Sequence, residues 1–333
     1  QRFVLWKNPR RLDNVCIAAR DIDGDGKVEI AVGAEWNPGD TRESGSVHWL
    51  VRPEKATDPW GVVDLHREPT VHRMRWVEAP RGVFQLVVAP LHGRGNVRGQ
   101  GEGVRTLAYA PPKDPKVAGD WKLELVDGGM HVSHNIDPVE WDDDPEEEIL
   151  IAGTEGIFLC DRGAARWTTQ QIAGNAPGET ENPGAGEVRL GRLGDSASRR
   201  FIATIEPFHG NSLVVYLPPG NAGLWTRRVI DADLSEGHAI ACADLDGDGK
   251  DEIIAGWRGT RNSTGRAGIR IYRSTSASSD AWTPMPLDDG GMACEDLQVA
   301  DLDGDGDLDV IAAGRATRNL KIYWNGRRTP GSR

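Results

Sequence analysis

The chain has 333 residues, with 41 glycines, 20 prolines and 38% hydrophobic residues, and no apolar run approaches the roughly 18–20 residues that span a bilayer. Its 51 acids against 39 bases give a formal charge of −12, and no basic cluster stands out. Those features exclude a membrane span and argue against a nucleic-acid partner, which would call for clustered cations to neutralise phosphates.

In chain order, Gln1 opens the sequence without a hydrophobic signal core, so a processed, secreted or periplasmic protein is expected. RFVLW at 2–6 reads as a short strand. An acidic loop, DIDGDGKVEI, follows at 21–30; it returns as DLDGDGKDEI at 244–253 and DLDGDGDLDV at 301–310, and EWDDDPEEEI at 140–149 is a cousin without glycines. From Asp21 to Asp244 is 223 residues, close to four times 56, and from Asp244 to Asp301 is 57. A second signature, tryptophan with an aliphatic residue five later, fills the register: Trp60 and Leu65, Trp121 and Val126, Trp167 and Ile172, Trp225 and Ile230, Trp282 and Leu287. Between these markers lie aliphatic runs in pairs, such as EIAVGA with SVHWLV, FQLVVAP with RTLAYA and DEIIAGW with GIRIYR. Helical periodicity is nowhere sustained. Each unit therefore predicts four strands.

Repeats of this length and content predict an all-β fold, a single β-propeller of four-stranded blades over 1–333. Blades are expected to start near 15, 71, 132, 186, 238 and 294, which gives six; a seventh, poorly marked blade would also fit. Residues 1–14 are expected to complete the last blade and close the ring.

The acidic loops set carboxylates at positions 1, 3, 5 and 9, with glycines allowing the sharp turn that converges oxygens on one ion. The expected metal residues are Asp21, Asp23, Asp25, Lys27 and Glu29; Asp244, Asp246, Asp248, Lys250 and Glu252; and Asp301, Asp303, Asp305, Asp307 and Asp309. Calcium, at up to three structural sites, suits these oxygen sets. The widely spaced Cys16, Cys160, Cys242 and Cys294 form no CxxC pattern and read as small buried hydrophobes.

In an up-and-down blade the loop between the first two strands lies on one side, and the entry to the first strand and exit of the second lie on the other. Entries give Asn14, His72 with Arg73, His131, His134 with Asn135, Glu187, His238, and Glu295 with Asp296. Exits give Glu35 with Trp36, His92 with Arg94, Glu155, Glu206 with His209, Trp257 with Arg258, and Arg315 with Arg318. Six of the eight histidines fall in these positions. They define a polar pocket suited to a sugar, in which tryptophan stacks on the ring, arginine pairs with carboxylates and histidine moves protons. Expected catalytic residues are His72, His134, His209, His238, Arg73 and Arg258; expected substrate-binding residues are Trp36, His92, Glu206, Trp257, Glu295 and Arg315. Trp257 is the preferred stacking platform. Zinc or another divalent metal held by two or three histidines is a further use of the same residues.

The acidic loops resemble FG-GAP or VCBS repeats of propellers. PTVHRMRWVEAP at 69–80, SHNIDPVEW at 133–141, EPFHGN at 206–211, EGHAIACADLDGDG at 236–249 and the stretch 290–325 resemble secreted propeller proteins that include the propeller of aldos-2-ulose (anhydrofructose) dehydratase and the rhamnosyl-glucuronate lyases. Propellers of that group are generally seven-bladed. The resemblance implies a carbohydrate-active lyase working by β-elimination on a uronic-acid or keto-sugar substrate. Two other functions fit the residues: a non-catalytic carbohydrate- or protein-binding propeller, and a glycoside hydrolase pairing Glu206 with Glu295 or Glu35.

Overall fold

Short runs of β-branched and aliphatic residues, punctuated by glycine and aspartate, leave the backbone only one way to satisfy its polar groups: pairing with the neighbouring run. A computed structural model of the protein describes residues 3–7, 13–142, 144–163, 166–174, 184–194, 199–259, 265–275 and 281–326. Among them the strands form successive antiparallel meanders. The first sheet contains β1 (Cys16–Arg20), β2 (Glu29–Ala34), β3 (Ser46–Val51) and β4 (Gly61–Asp64), and the second β5 (Val71–Ala79), β6 (Val83–Pro90), β7 (Thr106–Ala110) and β8 (Lys122–Asp127). The third comprises β9 (Ser133–Val139), β10 (Glu148–Gly153), β11 (Gly156–Arg162) and β12 (Trp167–Ala173).

The fourth holds β13 (Glu187–Arg192), β14 (Arg200–Glu206), β15 (Ser212–Leu217) and β16 (Thr226–Asp231), and the fifth β17 (Gly237–Ala243), β18 (Glu252–Trp257), β19 (Gly268–Ser274) and β20 (Trp282–Asp289). The sixth is β21 (Cys294–Ala300), β22 (Asp309–Gly314) and β23 (Asn319–Tyr323). These are six blades of a β-propeller fold; the helical content among the described residues is one 3₁₀ turn, Ala118–Asp120. The chain divides into two compact units, Gln1–Gln171 and Ile172–Arg333.

Burial explains the composition of each strand. The second strands EILIAG and EIIAGW are buried at every residue, so both faces read as apolar. Fourth strands such as TRRVID are largely exposed and carry charge. In the first unit Trp49 meets Trp76 edge-on, with ring centroids 5.8 Å apart, and packs near Trp121 at 5.6 Å. The signature tryptophans Trp60, Trp121 and Trp167 are buried, as are their partners Leu65, Val126 and Ile172. Burying a pair of such side chains contributes roughly 1.5–3 kcal/mol per side chain.

Three of the tyrosines on third strands, Tyr109, Tyr272 and Tyr323, fasten one sheet to the sheet before it. Tyr109 on β7 donates to the His66 carbonyl beyond β4 (3.1 Å). Tyr272 on β19 donates to Asp231 at the end of β16 (2.6 Å), and Tyr323 on β23 to Asp288 on β20 (2.7 Å). The cation two residues earlier joins each of the latter pairs: Arg270 to Asp231 at 2.8 Å and Lys321 to Asp288 at 2.7 Å.

Of the expected closing segment 1–14, residues 1–2 and 8–12 lie outside the described residues. The sixth sheet has three strands among the described residues, and residues 3–7 carry none. Leu5 and Trp6 instead pack against Ile30, Val32, Leu50 and Trp60 of the first sheet, where the Leu5 carbonyl accepts from the Trp60 N–H at 2.7 Å. Apolar burial against that sheet holds the segment.

Candidate functional site

In four sheets the first strand carries one residue more than its partner. Val71 and Arg73 pair with Pro90 and Ala89, leaving His72 extra. Ser133 and Asn135 pair with Gly153 and Ala152, leaving His134. Gly237 and Ala239 pair with Trp257 and Gly256, leaving His238, and Cys294 and Asp296 pair with Gly314 and Ala313, leaving Glu295. A β-bulge takes its extra residue out of the strand's alternation and re-aims it. All four extra residues are ones that the sequence marks as candidates.

In the first unit, His72 Nδ1 lies 3.0 Å from the His134 carbonyl oxygen and its Nε2 lies 2.9 Å from an Arg73 nitrogen. A carbonyl can only accept and a guanidinium can only donate, so His72 is the neutral tautomer with its proton on Nδ1. Its ring stands 4.7 Å from that of His134 and stacks on Trp36 at 4.9 Å. Nearby, His131 contacts Glu155 through Nδ1 (2.9 Å), with the Glu155 carboxylate also accepting from the His131 amide. His92 is tied at the backbone to Thr70, and burial lowers its pKa from the ordinary 6.5.

The second unit repeats the arrangement. His238 Nδ1 donates to the carbonyl of the next extra residue, Glu295, at 2.6 Å, which again places the proton on Nδ1. Its Nε2 stands 4.0 Å from Glu295 Oε1, and its ring lies 4.6 Å from that of His209. Arg258 grips Glu295 through two parallel hydrogen bonds of 2.7 Å. Arg258, Glu295, Arg315 and Arg318 line a cleft, with Arg315 3.7 Å from Glu295 and its side chain largely exposed. Three guanidinium groups against one carboxylate leave this cleft with excess positive charge.

Three expectations change. Trp257 is buried, donates to the Arg266 carbonyl and carries the Arg270 guanidinium 4.8 Å over its ring, so it is an interior side chain and offers no face to a sugar. Glu206 is fully enclosed: Thr204 (2.9 Å), Tyr216 (2.8 Å) and Arg227 (2.7 Å) donate to its carboxylate. Glu35 is paired with Arg67 at 2.7 Å. With Glu295 held by Arg258, each carboxylate expected for a hydrolase is engaged in an ion pair. Sequence reading also missed Glu68, a buried carboxylate 3.1 Å from Arg105 and 3.8 Å from Arg94. It precedes β5 by three residues, outside the strand-end positions searched.

The glycine-bearing acidic loops leave the far ends of the first strands β1, β17 and β21. In the first, the Asp21 carboxylate accepts from the amides of Gly24 and Gly26 (both 2.8 Å), and Glu29 accepts from Ile22 (3.1 Å). The loops at Asp244 and Asp301 repeat this pattern. Gly24 and Gly26 have φ of +77° and +79° with open space where a Cβ would stand, so glycine is required by conformation rather than crowding. Ligand-bearing oxygens of Asp21, Asp23 and Glu29, of Asp244, Asp246 and Asp248, and of Asp301, Asp303 and Asp309 lie within 4.8 Å of one another in each loop. The seventh-position side chains do not join them: Lys27 pairs with Asp25 at 2.6 Å and Lys250 with Asp248 at 3.0 Å. Glu252 is pushed up to about 7, by burial first and then by Asp246 and Asp248. All-oxygen donors at this spacing fit a hard divalent cation.

The four cysteines are free thiols; burial pushes Cys16 and Cys160 up to about 12, far from a reactive thiolate.

A propeller built of such blades, with bulge-borne histidines at strand entries, defines the class of protein. The sequence profile of the aldos-2-ulose dehydratase β-propeller domain matches residues 44–218, and the chain belongs to that family. The aldos-2-ulose dehydratase of Phanerodontia chrysosporium is 29% identical over 235 residues, covering 65% of this chain. The chain spans about a quarter, 26%, of that relative's length. A solved Agrocybe aegerita lectin, described as recognising non-reducing terminal N-acetylglucosamine specifically, aligns with 96% of this chain and 77% of its own. Its TM-score of 0.53 at 14% identity shows likeness of fold.

Proposed function

We propose that this chain carries a carbohydrate site of the dehydratase or lyase kind, acting by β-elimination on a keto sugar or uronic acid. The observation that supports this most is the bulge set: three histidines and a glutamate re-aimed from equivalent strand positions, each in different company, His72 against Arg73 and Trp36 and His238 against His209 and Glu295. A repeated binding module would present like pockets from like positions.

His238 is the base in this reading, because its Nδ1–H is fixed to a carbonyl and Nε2 is the basic nitrogen. The C–H bond beside the sugar carbonyl or carboxylate breaks, its proton passing to Nε2 and its electrons to an enolate-like oxygen. Arg315 and Arg318 hold that charge, and Arg258 positions Glu295 beside them. The C–O bond at the next carbon then breaks, and the departing oxygen takes a proton from His209. His72, whose basic nitrogen accepts from Arg73, orients Trp36 and His134 instead of moving protons.

An Nδ1–H bound to a carbonyl is also how a metal-ligating imidazole is oriented, so in place of these proton transfers His238, through Nε2, and His209 would serve as ligands of zinc or a similar ion. Such an ion, when bound, would polarise the substrate oxygen. In the acidic loops, we infer structural calcium.

The test follows the ultraviolet absorbance of the conjugated product from keto sugars and uronates. The reading requires turnover by the wild-type chain and a loss of about 100-fold or more in His238→Ala and His209→Ala. Unchanged turnover in both variants refutes the roles. Glycan binding without turnover by the wild type replaces the lyase with a binding propeller.

A further inference from the structure

The loop at 140–148 lacks every glycine of the other three, yet three of its hydrogen bonds match theirs. The Trp141 amide donates to Glu148 Oε2 (2.9 Å) as Ile22 does to Glu29, the Asp144 amide to Asp142 (3.0 Å) as Asp25 does to Asp23, and the Glu146 amide to Asp144 (2.9 Å) as Lys27 does to Asp25. Glu140 stands where Asp21 stands, and Pro145, in place of Gly26, has no N–H to donate to it. Loop geometry alone makes no site. The second observation is Glu148 itself, which is 1% exposed and whose Oε1 is buried with no hydrogen-bond partner. Leaving a carboxylate oxygen dry and unpaired is costly. Oxygens of Asp142, Asp144 and Glu148 lie within 4.8 Å of one another. The neighbouring Glu147 is turned away, accepting from Arg20 (2.7 Å) and the Glu78 amide (2.6 Å).

We propose that Asp142, Asp144 and Glu148 hold a fourth hard divalent cation, of the calcium kind, which supplies the missing partner of Glu148. The inference deepens the reading of the glycine loops as cation sites and is separable from it. Equilibrium dialysis with calcium gives the number of ions bound by the wild type, Asp144→Asn/Glu148→Gln and Asp301→Asn. We expect each variant to bind one ion fewer than the wild type. Loss in Asp301→Asn with none in Asp144→Asn/Glu148→Gln overturns the fourth site alone; loss only in the latter overturns the glycine loops and keeps it. Thermal unfolding of the single variant Glu148→Gln supplies an independent sign. Glutamine keeps the bond to Trp141 but removes the buried charge, so Tm rises above wild type in chelator and falls below it in excess calcium. A Tm that shifts in the same direction under both conditions overturns the proposal.

Discussion

The two ends of one strand teach different things. β17 begins with His238 on a bulge and runs directly into Asp244 of an acidic loop, a separation of roughly 20 Å for seven residues. β21 does the same with Glu295 and Asp301. The loop ends repeat with nearly constant chemistry and constant hydrogen bonds. The bulge ends keep a constant backbone and give histidine three times and glutamate once, each with different neighbours. Constant chemistry with constant hydrogen bonds marks a repeated structural element; a constant backbone whose side chains meet different partners marks positions at which one blade differs from the next.

That contrast can be broken at several points. The largest effect on turnover belongs to His238→Ala, with about 100-fold or more lost from kcat and a urea midpoint little changed; loss of fold instead would make the bulge end a scaffold too. Glu206→Ala strips the partners from Arg227 and the Tyr216 hydroxyl in a fully buried site, and should cost about 3 kcal/mol in urea unfolding, the largest stability effect. Chelation should lower Tm by about 5–10 °C while binding of substrate at saturating sugar persists in the cold; turnover lost with Tm unmoved would transfer the chemistry to the loops. The smallest effect concerns His92. Burial lowers its folded pKa below 6.5, so below that value the unfolded chain takes up the proton first. Its contribution is therefore present above 6.5 and is lost as pH falls through the folded value. His92→Asn should flatten the fall in urea midpoint between pH 7 and 5, and an unaltered slope would assign that fall to other groups.

Much of the fold was readable because the period and the buried second strands follow from composition: a strand covered on both faces must be apolar throughout. The candidate residues on bulges were readable only as strand entries; nothing in GHAIAC or CEDLQV announces the extra residue, because a bulge is a property of two strands in register. The errors have one origin. Trp257 and Arg258 are adjacent, and alternation sends neighbours to opposite sides, so both could not face the same place. Glu206 is likewise the last residue of β14, and its side chain turns inward to Tyr216 and Arg227. Residues 3–7 carry no strand despite the strand composition of RFVLW, and Leu5 and Trp6 pack on a buried surface of the first sheet.

The tyrosine pins have a consequence for synthesis on the ribosome. Tyr109, Tyr272 and Tyr323 each reach back to a residue on or just beyond the fourth strand of a sheet that has already been made. At about 5–20 residues per second, a new sheet of this size emerges every few seconds and finds its fastening point waiting. A chain halted before Tyr323 would display Asp288 without its hydroxyl partner, so incomplete products carry a visible acidic mark at their last finished edge.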